Sequence, residues 1–339
     1  SGDSRMTTPT PKPDTINHLK RAVYPSYALL AAVDLDVFTP LHDGPLTAGE
    51  ISVAIGADLD KLQALLYALV PTGLLIVHEE RFSNSPEADH FLVQGKSNYT
   101  GGDYKSYAAE RWSAVLKTAE SVRSGSPGAK VDFSAMSVDE LEAFYQGSYQ
   151  ESLASGRELV ARYDFSSYRS LIDVGGGTGG LSISVGEECP NLRATVVDFP
   201  AVIPVTQRFV NESRVADRMS VEAADAATQS LIGAYDVAIL SNFIPVVSPN
   251  DILHTLQNIF QVLVPGGVVY IRDRGTLNND RLSPASIAEA NLVFINIFEE
   301  GHARTEAERR EWLAEAGFTD VERESPPSGT SIMRARKPR

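Results

Sequence analysis

The sequence predicts a two-domain α/β protein, in which a mostly helical, winged-helix-like domain precedes a Rossmann-like, doubly wound sheet. From Leu171 onward, short apolar strands alternate with helical segments, a pattern typical of a parallel sheet covered on both faces. A glycine-rich turn joins the first of these strands to its helix. Upstream, helices at 47–54 and 61–70 and a hairpin at 74–83 form the winged-helix pattern. The predicted organisation is a disordered lead-in at 1–15, a first domain at 16–165 and a second at 166–339.

Each element of this prediction has a local pattern behind it. Helical apolar spacing predicts helices at Ile16–Val33 and Gly101–Arg123, and one or two helices over Ser137–Arg162. The parallel strands are predicted at Leu171–Val174, Ala194–Val197, Met219–Ala223, Val237–Leu240 and Val268–Arg272. The segment Pro265-Gly266-Gly267 is expected to end the helix before the last of them. Phe318–Glu322 and Thr330–Ala335 then predict a terminal antiparallel hairpin.

Composition restricts the possible partners. The 339 residues carry a formal net charge of -14, which argues against a nucleic-acid partner because such proteins present a basic face. A single cysteine, Cys189, excludes an internal disulfide framework and fits a reducing cytoplasm. No apolar stretch approaches the roughly 20 residues needed to cross a bilayer, so no membrane partner is expected.

The glycine-rich turn predicts a nucleoside-binding site. Gly175 and Gly177 follow the strand directly, so the backbone can approach a ligand closely, and the next helix offers free N–H groups at its N-terminus. Asp198 ends the second strand, at roughly the 20-residue distance expected for ribose recognition. The glycines alone fit both a dinucleotide pattern and, behind Asp173, an S-adenosylmethionine (SAM) pattern. The terminal hairpin favours the SAM-dependent methyltransferase architecture over a dehydrogenase.

With these residues identified, the chain resembles the plant-type small-molecule O-methyltransferase family, which includes many bacterial natural-product enzymes. The resemblance runs from about Ile16 to the C-terminal hairpin. Its landmarks are the winged-helix start, Asp-Val-Gly-Gly-Gly-Thr-Gly-Gly at 173–180, Val-Asp-Phe-Pro at 197–200, Leu-Ser-Asn at 240–242, Pro-Gly-Gly at 265–267, Arg-Thr at 304–305 and Ala-Gly-Phe at 316–318. The resemblance implies a class I methyltransferase sheet, a homodimer, a small-molecule acceptor, SAM as methyl donor and no metal.

The resemblance also assigns roles to individual residues. Gly175 and Gly177 would approach the methionine portion of SAM, and Asp198 would accept hydrogen bonds from both ribose hydroxyls. The remaining donor-site positions are Asp225 and Ala226 at the adenine, and Ser241 and Asn242 beside the sulfonium.

The departures from the family pattern concern proton transfer. Members that methylate phenols use a histidine two positions before a tryptophan, and this chain has Pro245 and Val247 there. The glutamate that normally precedes Arg-Thr is Ala303. Neither proline nor alanine can accept a proton, so general-base catalysis from the usual positions is not expected. His302 is the remaining candidate for a catalytic base.

A nucleophile that needs no base explains this loss economically. A thioether sulfur has a lone pair and no proton, and its methylation needs only alignment and desolvation. The chain is therefore similar to the bacterial S-methyltransferases of dimethylsulfoniopropionate synthesis, whose acceptor is 4-methylthio-2-hydroxybutyrate. The alternatives are C-methylation, O-methylation through His302, use of SAM without methyl transfer, and a SAM-sensing winged-helix regulator.

The acceptor site is predicted from the end of the fifth strand and a set of aromatic residues. Strand alternation sends Arg272 and Arg274 to one side and Asp273 to the other. Arg274 is predicted to receive the acceptor carboxylate; its alternative partner is a surface carboxylate. The side chains predicted to line the acceptor site are those of Tyr104, Tyr107, Tyr145 and Tyr149. Tyr145 is also predicted to face the reacting centres as a catalytic residue.

Overall fold

A computed structural model describes residues 9–104 and 107–339, apart from the side chains of residues 103 and 107–109. The chain divides into two compact units, Ser1–Ala109 and Glu110–Arg339. The sequence-based boundary was instead 165/166. The difference arises because the helices between residues 113 and 162 pack with the second unit. The longest of these helices contains Gly156, which lies so close to the backbone of Leu181 that a Cβ atom at this position would clash with it.

The first unit contains five helices and a three-stranded sheet among its described residues. The helices are α1 (Asp14–Arg21), α2 (Val23–Asp34), α3 (Ala48–Ile55), α4 (Leu59–Leu69) and α5 (Pro86–Phe91). The strands are β1 (Leu46–Thr47), β2 (Leu75–His78) and β3 (Arg81–Asn84), in the order β1-β3-β2. Thr47 forms a capping box with Glu50, and the Asp58 side chain caps α4. The predicted helix Ile16–Val33 is two helices, because Pro25 in the first turn of α2 has no N–H to donate.

The predicted helix Gly101–Arg123 is broken into shorter pieces. They are a 3₁₀ turn at Gly101–Asp103, a π-helical turn at Tyr107–Trp112, α6 (Ser113–Val115) and α7 (Thr118–Ser124). At the last break, the Thr118 hydroxyl donates to the Val115 carbonyl over 2.6 Å. A threonine side chain that bonds a nearby carbonyl competes with the helical backbone, which explains the interruption.

The second unit is built on a seven-stranded sheet in the order β11-β12-β8-β7-β4-β5-β6. Its strands are β4 (Ser170–Val174), β5 (Arg193–Asp198), β6 (Met219–Ala223), β7 (Tyr235–Ser241), β8 (Leu263–Asp273), β11 (Thr319–Glu324) and β12 (Ser331–Arg336). The first five are parallel to their neighbours in this set, and β12 is antiparallel to both β8 and β11. The predicted doubly wound sheet with a terminal antiparallel hairpin is confirmed.

The helices of this unit cover both faces of the sheet. Besides α6 and α7 they are α8 (Val138–Arg162), α9 (Gly180–Glu188), α10 (Ile203–Glu212), α11 (Pro249–Val262), α12 (Ala285–Ile297) and α13 (Glu306–Ala316). Ser137 and Glu140 form the capping box that begins α8. Two features differ from the prediction. β8 begins at Leu263 and contains the Pro-Gly-Gly segment, and a short parallel pair, β9 (Thr276–Leu277) and β10 (Arg304–Thr305), follows it.

Strand alternation divides the core between the two faces. Leu171 packs with a cluster that includes Leu159 of α8 and Val185 of α9. Ile172 packs on the other face, with Ile252 of α11 and Leu313 of α13. The carboxyl ends of β4, β5, β7 and β8 meet at one edge, where open α/β sheets bind their ligands.

Candidate active site

The turn between β4 and α9 requires glycine at several positions. Gly175, Gly177 and Gly179 have φ angles of 70°, 56° and 76°, in the left-handed region that other residues rarely adopt. The Gly175 N–H donates to the Val197 carbonyl over 2.8 Å, which holds the turn against β5. The backbone conformation therefore explains the glycines before any ligand is considered.

Asp198 closes this turn from the end of β5. One carboxylate oxygen accepts the Gly177 N–H at 2.8 Å and the other accepts the Phe199 N–H at 2.7 Å. Burial raises the pKa of this carboxyl, and the two backbone hydrogen bonds partly offset that effect. Each carboxylate oxygen has a second lone pair, so the side chain can also accept bonds from ribose hydroxyls.

Two aromatic rings and a buried carboxylate lie against the glycine turn. A Cβ on Gly175 would lie 2.9 Å from the Phe243 ring, and one on Gly177 would lie 3.1 Å from the Tyr145 ring. Asp173, beneath the turn, has one carboxylate oxygen that is buried without a hydrogen-bond partner among the described residues. SAM brings positive charge, and buried carboxylates with spare acceptor capacity suit it.

The predicted adenine side lies next to Asp198. The Ala224 N–H donates to the Asp198 carbonyl over 3.0 Å, which places the following residues beside β5. The Asp225 carboxylate accepts the Ala227 N–H at 3.0 Å, and the Ala226 carbonyl accepts from the Asn258 side chain at 2.7 Å. This loop is thus fixed by its own hydrogen bonds.

Ser241 and Asn242 end β7 at the same edge. Asn242 has a φ of 53°, and its N–H donates to the Arg272 carbonyl over 2.9 Å. The left-handed residue reverses the chain and directs Phe243 onto Gly175. Sequence reasoning missed Phe243. The sequence feature that could have identified it is its position directly after Asn242, which was predicted to lie in the donor site.

Pro245 and Ala303, which replace the family's usual proton acceptors, lie close together. The His302 N–H donates to the Pro245 carbonyl over 3.0 Å, which joins the loop after β7 to the loop before β10. Pro245 is buried and packs so tightly on Gly275 that a Cβ there would overlap its ring. Ala303 is buried in an apolar cluster with Leu277 and Ile287. Neither side chain can accept a proton, and the polar contact of Ala303 is made by its backbone N–H, which donates to the Asn291 side chain at 2.8 Å.

The His302 side chain faces a different space. It lines a cavity of about 210 Å³ between the end of α7 and the end of α12. No residue of the glycine turn lines that cavity. Burial and the nearby Arg304 cation lower the pKa of His302, so the imidazole is neutral at pH 7.

Arg272, in β8, and Arg274, just after it, both face α8, as strand alternation predicts. Arg274 forms an ion pair with Glu151 at 2.8 Å, which is the alternative pairing with a surface carboxylate. Arg272 is buried, its Nε lies 3.9 Å from Glu158, and two of its guanidinium nitrogens, Nε and Nη1, have no hydrogen-bond partner among the described residues. Asp273 points the other way and forms a buried bidentate pair with Arg309.

Of the four tyrosines predicted to line the acceptor site, two lie at the glycine turn. Tyr145 contacts Gly177, and Tyr149 contacts Gly180 and stacks at a tilt on Phe209. Burial raises the pKa of Tyr145, and Asp198 adds to that effect, so its phenol stays neutral and cannot serve as a base. Tyr104 packs against the core of the first unit. The Tyr107 side chain lies outside the described residues.

Within residues 9–104 and 107–339, no cluster of histidine, cysteine and acidic side chains has the arrangement of a metal site. The same part of the chain contains no helix both long and apolar enough to span a membrane.

Comparisons with known proteins agree on one family. The description "O-methyltransferase domain" matches residues 124–319, and "O-methyltransferase dimerisation domain" matches residues 17–94. The second match supports the predicted homodimer. In that region α1 buries none of its residues, and Ile16, Leu19 and Tyr24 are exposed.

Individual relatives cover nearly the whole chain. The tetracenomycin polyketide synthesis 8-O-methyl transferase TcmO of Streptomyces glaucescens is 31% identical over 96% of this chain and 97% of its own. The N,N-dimethyltransferase OxyT of Streptomyces rimosus is 28% identical over 79% of this chain and 81% of its own. The structure of human N-acetylserotonin methyltransferase with SAM superposes with a TM-score of 0.80, at 21% identity, over 98% of this chain and 100% of that one.

Proposed function

Because the chain belongs to the SAM-dependent O-methyltransferase family, we propose that it methylates the sulfur of a small thioether carboxylate, such as 4-methylthio-2-hydroxybutyrate, without a general base. Family membership makes the protein a SAM-dependent methyltransferase of a small molecule. The acceptor and the methylated atom are the proposal.

The observation that carries the proposal is the apolar junction formed by Pro245 and Ala303. A hydroxyl acceptor must lose a proton, and a base within hydrogen-bond reach would normally take it. At this junction the chain presents a proline ring and a methyl group, and the cluster around Ala303 is apolar. A thioether attacks with its lone pair, forms a sulfonium and has no proton to release.

The residues around the turn then have three tasks in this reaction. SAM, when bound, supplies an activated methyl group. The glycine turn and Asp198 hold the donor at the carboxyl edge of the sheet. The neutral Tyr145 and the half-buried Phe243 exclude water from the turn, and Arg274 receives the acceptor carboxylate. Alignment and desolvation of the two sulfur centres are the whole requirement.

O-methylation is the second candidate, favoured by the neutral imidazole of His302 and by the names of relatives such as TcmO. Two acceptors of nearly equal shape separate the candidates. We expect turnover with 4-methylthio-2-hydroxybutyrate and none with 2-hydroxyhexanoate, in which a methylene replaces sulfur while the hydroxyl and carboxylate remain. Mass spectrometry of the product distinguishes a sulfonium from a methyl ether. Methylation of 2-hydroxyhexanoate or of a naphthol at a comparable rate would contradict the proposal.

The variant His302→Ala is the control for proton transfer in the same assay. Without a proton to remove, its kcat should fall less than about fivefold, through packing alone. A fall of roughly 100-fold or more that raised pH or added formate restores would identify His302 as a general base.

Arg274→Lys tests the carboxylate contact. Lysine keeps the charge but loses the planar fork, so the acceptor KM should rise about tenfold while SAM affinity stays unchanged. The acceptor has to replace Glu151, whose carboxylate Arg274 binds at 2.8 Å in the absence of ligand. Steady-state kinetics checks the KM, with Arg334→Lys as control, since Arg334 pairs with Glu322 in the terminal hairpin. An unchanged KM would leave Arg274 as a surface ion-pair residue only.

A further inference from the structure

Two aromatic rings reach the glycine turn from opposite faces of the sheet. The Phe243 Cδ2 atom lies 2.9 Å from where a Cβ on Gly175 would be, and the Tyr145 Cε1 atom lies 3.1 Å from the same position on Gly177. Phe243 packs with the cluster on the α11 side, and Tyr145 packs with the cluster that includes Phe209 of α10. The turn is therefore enclosed by one ring on each side, which we call the aromatic pair.

Each ring is held by backbone features of its own. Asn242 ends β7 in a left-handed conformation with a φ of 53°, a conformation that asparagine tolerates better than most residues. That reversal sets the direction of Phe243. Tyr145 lies on α8, which the capping box at Ser137 begins and which the Glu151–Arg274 pair ties to β8.

The chemistry of the donor suggests why aromatic rings stand here. The methyl donor has a sulfonium cation, whereas the product that remains after transfer, S-adenosylhomocysteine, has a neutral thioether at the same atom. The face of an aromatic ring attracts cations and has no comparable attraction for a neutral sulfur. Asp173 and Asp198 attract the donor as a whole, but neither contact singles out the sulfur atom.

We propose that Phe243 and Tyr145 bind the sulfonium of SAM by cation–π attraction and thereby favour the methyl donor over the spent product. The pair would help the enzyme release S-adenosylhomocysteine after each turnover. Both residues are donor-binding residues in this proposal, and Tyr145 transfers no proton. The test uses binding alone, so its result is independent of the proposed thioether acceptor.

The experiment measures the dissociation constants of SAM and S-adenosylhomocysteine by calorimetry. In Phe243→Leu and Tyr145→Leu, SAM binding should weaken about tenfold more than S-adenosylhomocysteine binding, because leucine fills space without a π face. Phe260→Leu is the matched control. Phe260 lies on α11 against Phe318 and Lys337, away from the turn, and its loss should leave the ratio of the two constants unchanged.

A second measurement keeps the shape of the ring. Incorporating increasingly fluorinated phenylalanines at position 243 weakens the ring's attraction for cations with little change in volume, so the preference for SAM should decline with each fluorine. A purely packing role predicts equal losses for both ligands in the leucine variants and a flat fluorination series. Either of those results would overturn the proposal.

Discussion

Replacing Asp198 with alanine is expected to weaken SAM binding by about 2–4 kcal/mol, or roughly 30- to 1000-fold. The side chain is only 8% exposed and accepts the backbone N–H groups of Gly177 and Phe199. If Asp198 binds the ribose as proposed, its loss removes two charge-assisted hydrogen bonds to the ribose hydroxyls; it also removes the bond that ties the glycine turn to β5. Both effects reduce affinity for the donor.

Calorimetry can separate these two contributions. The ligand 5′-methylthioadenosine keeps the adenine and ribose of SAM but lacks its amino-acid portion. If the ribose contact dominates, Asp198→Ala should weaken both ligands by a similar factor. Asp217→Ala, which removes an exposed carboxylate just before β6, should leave both affinities unchanged. An unaltered SAM affinity in Asp198→Ala would remove Asp198 from the donor site.

Local signals in the sequence were sufficient for the donor half of the fold. The glycine turn, the strand before it and Asp198 are read from one stretch of about 30 residues, because a βαβ unit of that size determines its own geometry. The terminal hairpin was equally predictable from two short strands joined by a proline-glycine turn. In both cases the residues that interact are close in sequence or are placed by regular periodicity.

The predicted acceptor site depends on contacts between residues that are far apart in the sequence. The sequence was therefore less informative about this site. The Glu151–Arg274 pair joins a helix to a strand more than a hundred positions away, so no periodicity reveals it. The same holds for Phe243 at Gly175. The short strands β9 and β10 contain two residues each, which is too few to show an alternation of apolar and polar side chains.

The domain boundary shows a related difficulty. Helical spacing predicted Ser137–Arg162 correctly, because its caps and apolar positions are local. Which unit this helix joins is decided by Gly156, where the absence of a side chain permits close packing on α9. From the sequence alone, a glycine inside a helix does not reveal which other helix it packs against.

The carboxyl of Asp173 is buried beneath the glycine turn, which costs folding free energy when the group is ionised. It is 1% exposed, accepts one hydrogen bond from the Ser182 hydroxyl at 2.7 Å and has a second oxygen without a partner among the described residues. Burial raises its pKa from 3.8 to about 6, although the Ser182 bond acts in the opposite direction. The folded protein therefore holds this proton more tightly than the unfolded chain does. Its contribution to stability is fully present below pH 4 and is lost as the pH rises to 6.

Asp173→Asn is therefore expected to stabilise the ligand-free protein at pH 8, by up to about 3 kcal/mol, while weakening SAM binding at least about tenfold. The amide keeps the size of the side chain and removes the buried charge, which a cationic donor would otherwise compensate. Urea unfolding at pH 8 and pH 5 checks the first expectation, since the gain should shrink at the lower pH. Glu315→Gln, which removes an exposed carboxylate from α13, should change stability little at either pH. A gain of equal size at both pH values, or unchanged SAM affinity, would show that the charge of Asp173 has no part in the donor site.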